Sequence, residues 1–104
     1  TFDDRENAFE SKFAHDAEMQ FKAEARRNKL LGLWAAQLMG KQGDDADAYA
    51  REVIKADFEE VGEEDVFRKL RGDFDAAGVE QSDHQIRRQM ADLMAEAITQ
   101  IESE

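Results

Sequence analysis

Glycine placement limits this chain more than any other feature. Gly40, Gly43, Gly62 and Gly78 punctuate a sequence of 104 residues that has no proline at all. Between them lie stretches rich in alanine and straight-chain polar residues and poor in β-branched ones, a composition that favours helix. Asp44, Asp45 and Asp47 follow the Gly40/Gly43 pair, and Glu63, Glu64 and Asp65 follow Gly62. Negative charge of this kind suits the partial positive charge of a helix N-terminus. Ser82 and Gln85 have the spacing of a capping box. These signals predict helices over residues 20–39, 44–58, 63–77 and 82–103.

Each segment carries an apolar stripe at helical spacing: Leu31, Trp34 and Leu38; Tyr49, Val53, Ile54 and Phe58; Val66, Phe67, Leu70 and Phe74; Ile86, Met90, Leu93, Ala97 and Ile101. Four amphipathic helices joined by short turns predict an all-α, antiparallel four-helix bundle, residues 19–104. Gly72 interrupts the third stripe and weakens that helix by up to about 1 kcal/mol relative to alanine.

No stop signal separates residues 4–20 from the first of these helices. A continuous helix from Asp4 to Met39 would run about 54 Å, well beyond its neighbours. Residues 1–18 are therefore expected to form a protruding, partly mobile N-terminal arm, since an unsupported short helix is marginal in water. Phe2, Phe9 and Phe13 lie within about 40° of one another on that helical wheel. An aromatic stripe on an overhang suits a partner groove, a fold-back onto the bundle, or a second copy. Phe21 is turned away from the stripe, toward the bundle's seam.

The net charge is −11, with no cysteine. Lacking cysteine, the chain has no disulfide or thiolate metal site, and it fits a reducing compartment. An acidic total disfavours nucleic acid and anionic membrane as partners. The longest uncharged run, Leu30 to Gly40, is about half of a membrane span. A soluble, cytoplasmic, monomeric protein is expected.

Against this acidic background, Lys22, Arg26, Arg27 and Lys29 crowd into eight residues. Lys22, Arg26 and Lys29 form one stripe, which either pairs with the acidic segment 42–65 or meets an anion. Arg27 points along the core side near Trp34, where its guanidinium needs a carboxylate or carbonyl. Gly40-Lys41 lacks the rest of a phosphate-binding loop. The stretch from Asp57 to Arg68 has Val61 and Arg68 at calcium-ligand positions five and twelve. Lys12 and Gln81 stand where the glutamates paired with His15 and His84 would be in a di-iron bundle. No metal site and no nucleophile–base arrangement emerges, so an enzyme is not expected.

The blocks FDDRENAFESKFAHDAEMQFKAEARRNKLLGLWAAQLMG, YAREVIKADFEE and GEEDVFRKL resemble successive parts of the zeta-type inhibitor subunit of the alphaproteobacterial F-type ATP synthase. FKAEARRNKLLGLWA is the most specific of them. The resemblance implies a four-helix bundle whose N-terminal arm enters the interface between catalytic subunits of the synthase head and blocks ATP-driven rotation. By position, Phe2, Arg5, Phe9, Lys12 and Phe13 would be the inserting residues. The chain would then sit in the cytoplasm, at the inner membrane only through the synthase. The resemblance also implies ADP or ATP as a regulatory ligand rather than a required cofactor, for which Lys22, Arg26 and Lys29 are the candidate phosphate contacts. The competing functions are an adenine-nucleotide-sensing bundle and a scaffold dimerising through its phenylalanine stripe.

Overall fold

A computed structural model describes residues 17–60 and 62–104. Four helices make up the fold: α1 (Ala17–Leu38), α2 (Asp44–Ala56), α3 (Glu64–Ala77) and α4 (Asp83–Glu102). No strand occurs among the described residues. The proposed helical arm upstream of Ala17, with Phe2, Arg5, Phe9, Lys12 and Phe13, lies outside the described residues.

The punctuation acts as the sequence predicts. Gly40 has φ 78° and closes α1, with the Lys41 amide donating to the Ala36 carbonyl at 2.8 Å. Gly78 does the same for α3 at φ 72°, and Val79 N–H donates to Phe74 C=O at 2.9 Å. These bonds satisfy carbonyls left open at a helix end, and the left-handed backbone needed is one glycine adopts without steric penalty. The capping box is present: Gln85 N–H donates to Ser82 Oγ at 3.0 Å, and Ser82 N–H to Gln85 Oε1 at 2.8 Å.

Consecutive helices run antiparallel. Arg26 in the first half of α1 meets Gln100 and Glu104 at the end of α4, and Asn28 of α1 meets Asp57 just beyond α2. Leu31, Val53, Val66, Leu70, Phe74 and Ile86 are fully buried at the centre. Trp34 sets its indole edge-on to Phe74, with ring centroids 5.6 Å apart. Burying each of these large side chains contributes about 1.5–3 kcal/mol. Two expected core members fall outside. Leu38 is 40% exposed and Phe58 67%. Leu38 sits on the last residue of α1, and α2 stops at Ala56, two residues short of the expected end. Phe58 thus belongs to a turn whose amide donates to Lys55 C=O, and it leaves the stripe that Tyr49 and Val53 follow.

α1 and α2 approach most closely at Gly32, where a Cβ would lie 2.5 Å from the Ala50 Cα. Gly72, by contrast, faces open space. Gly32→Ala is therefore expected to lose about 1–2 kcal/mol by forcing the helices apart. Gly72→Ala should gain about 0.5–1 kcal/mol from helix propensity. Denaturant midpoints of the two variants check this, and shifts of the same sign would contradict it.

At the end of the bundle holding the C-terminus of α1, Tyr49 is buried and its hydroxyl donates to Asp73 Oδ2 at 2.7 Å. Lys69 Nζ pairs with the same carboxylate at 3.1 Å and lies over the Tyr49 ring. Burial first, and the Asp73 contact second, hold the phenol protonated well above its ordinary range. No helix among the described residues is long and apolar enough to cross a membrane.

Candidate partner-binding end of the bundle

The functional candidates gather at the other end, where the first half of α1 meets the connection from α2 to α3. Here Arg27 is 3% exposed and Asn28 1%. A charged group so placed must be fully partnered. Arg27 Nε donates to Asn28 Oδ1 at 2.8 Å, and its Nη1 to Glu63 Oε2 at 3.0 Å. The second arm of its fork lies 3.8 Å from Asp57 Oδ2, which also accepts from Asn28 Nδ2 at 2.9 Å. One guanidinium thus ties α1 to both flanks of the α2–α3 connection. Asp65, itself buried, holds the same connection by accepting from the Glu60 amide at 2.9 Å. No buried side-chain polar atom among the described residues lacks a partner.

The core-side position expected for Arg27 is observed. Asn28 was not foreseen, although the sequence held a signal for it. It lies three residues before Leu31 on the same face, so a polar group there has to find a buried partner.

The structure brings Lys22, Arg26 and Lys29 together around an open hollow of about 290 Å³, also lined by Phe21, Ile54 and Glu104. Arg26 does not pair with the acidic segment 42–65. Instead it donates to Gln100 Oε1 at 2.9 Å and forms an ion pair with Glu104. The reason is topological: α4 packs antiparallel beside α1 and delivers its C-terminus there. The Arg26 hydrogen bond holds the Glu104 carboxyl below the usual carboxylate range, with Lys22 adding a smaller attraction. Lys22 and Lys29 are exposed.

Phe21 also departs from expectation. Rather than facing the seam, it is 55% exposed and leans on Phe58, ring centroids 6.0 Å apart. Among the described residues no cluster of three or more His, Cys, Asp or Glu side chains could hold a metal ion.

A family model of the ATPase inhibitor subunit zeta matches residues 1–100. The chain belongs to that family. A structure solved by solution NMR is 55% identical to this zeta-family chain, covering 82% of it and 96% of the solved chain, with a TM-score of 0.74. A comparison with curated proteins finds no match. Membership indicates an inhibitor subunit, a regulatory rather than catalytic role, and association with the ATP synthase. The match begins at residue 1, so it takes in the phenylalanine stripe as well as the bundle.

Proposed function

We propose that this chain inhibits ATP hydrolysis by the F-type ATP synthase, inserting residues 1–18 as a helical arm between catalytic subunits while the bundle stays outside. One observation carries the reading. The described core draws on residues from Ala23 to Ile101 and leaves none of its buried polar side-chain atoms unpaired. The inhibitor family's match spans both this core and the segment that holds Phe2, Arg5, Phe9, Lys12 and Phe13. An aromatic stripe at helical spacing ahead of the bundle has the composition to fill a partner's groove.

Deleting residues 1–16 tests this directly. The truncated chain is expected to melt close to the full chain and to lose inhibition of ATP hydrolysis by the isolated synthase head. A truncated chain that still inhibits would make the bundle the inhibitor. One that unfolds would put the arm in the core.

A second reading concerns ligand rather than partner. Lys22 and Lys29 beside the Arg26–Glu104 ion pair leave a net positive hollow that favours an anion, and ADP or ATP would place its phosphates against Lys22, Arg26 and Lys29. ADP titration should then shift the backbone NMR signals of these residues, and Arg26→Glu should abolish the shifts. Shifts confined to Lys41, Tyr49 and Lys69 at the opposite end would refute the site.

A further inference from the structure

Phe21 and Phe58 are two of three large hydrophobic side chains exposed among the described residues, and they are neighbours. Between them lies a hollow of about 170 Å³, floored by Ala25 and Ile54. Phe58 is held outward by the clamp beside it: Asp57, the preceding residue, turns inward to accept from Asn28. Lys22 and Lys29 stand along the edge that the patch shares with the neighbouring depression. A paired, exposed aromatic surface with Lys22 and Lys29 along one edge, and with Glu24 and Asp57 also lining its hollow, has the composition of an interface core and rim.

We propose that Phe21, Ile54 and Phe58 form a second docking surface for the same synthase head, receiving an apolar side chain of the head while Lys22 and Lys29 face its carboxylates. This rests on the arm reading above. Continuity selects the occupant. Phe21 lies four residues after Ala17, the first described residue of α1, and eight after Phe13, the last aromatic of the arm stripe. Eight helical residues span only about 12 Å. A head closed around Phe9 and Phe13 therefore presents its own surface beside Phe21. The chain's own arm is the competing occupant.

The test uses the full chain carrying Phe58→Ser, which alters neither the arm nor α1. Affinity for the isolated head, measured by surface binding and by the midpoint of inhibition, is expected to fall about tenfold. That is the scale of covering most of one exposed phenylalanine. The melting temperature should not change, because Phe58 is outside the core. Lys22→Glu with Lys29→Glu should slow association and flatten its salt dependence. Wild-type affinity in Phe58→Ser overturns the proposal, and if Phe9→Ser with Phe13→Ser still abolishes inhibition, the arm reading survives that failure. Loss of affinity in Phe58→Ser beside full potency in the arm variant would instead sink the arm reading. A spin label on Ser11→Cys that broadens Phe58 in the free chain would identify the arm as occupant and overturn the proposal. So would a dimer in sedimentation that Phe58→Ser dissociates.

Discussion

Replacing Phe9 and Phe13 together by Ser should remove most of the inhibition of ATP hydrolysis while leaving the bundle's melting temperature unchanged. Each side chain buried in a partner groove is worth about 1.5–3 kcal/mol, so losing two weakens binding by about a hundredfold or more. Serine keeps the arm's length and charge, so a loss reports the aromatic surface and not electrostatics. The check is a titration of variant and parent chains into ATP-hydrolysing head, with thermal unfolding of each alone. Parent-like inhibition by the double variant would mean that the stripe does not enter the catalytic interface. A drop in melting temperature matching the loss of inhibition would place the stripe on the bundle itself.

Arg27→Ala is expected to destabilise the bundle by about 3 kcal/mol, because removing one member of a buried charged network strands the others. The Asn28 carbonyl oxygen loses its donor, and Asp57 keeps only the Asn28 amide among these contacts. Glu63 is more exposed and can turn to water, which limits the loss. Arg27→Lys should recover little, since a single ammonium cannot donate to Asn28 and Glu63 from one planar fork. Lys22→Ala and Lys29→Ala, on exposed positions, should stay within about 0.5 kcal/mol of the parent. Denaturant midpoints of the four variants decide the matter, and equal midpoints would mean that the clamp contributes nothing to stability. Because the clamp sits at the end from which α1 leads back toward residue 16, Arg27→Ala should also loosen the base on which the arm is carried. At temperatures where the variant remains folded, its inhibition should fall more than that of Lys29→Ala.

Helix number and the ends of α1 and α3 at Gly40 and Gly78 follow from features local to the sequence. Gly40 and Gly78 adopt the left-handed backbone that stops a helix, and Ser82 and Gln85 close their box within four residues. These depend on nearest neighbours, so a linear reading captures them. The stripes of α3 and α4 were legible for the same reason, since a 3.6-residue period marks the face that must be covered. The buried place of Arg27 was legible too, from its angle on the helical wheel.

Tertiary structure alone decided which groups complete that site. Whether Arg26 meets the acidic segment 42–65 or the end of α4 depends on which helix lies beside α1, and both carry carboxylates, so charge pattern could not choose. Asn28, Asp57 and Glu63 are separated by up to 35 positions in the chain and become one network only when the α2–α3 connection folds over α1. Phe58 continues the apolar period of α2 but is turned to solvent, because the helix ends at Ala56 and Asp57 is drawn inward. Periodicity assigns a residue to a face only while the helix lasts. Where it stops, contacts between distant segments determine which side chains are covered and which remain free to meet a partner.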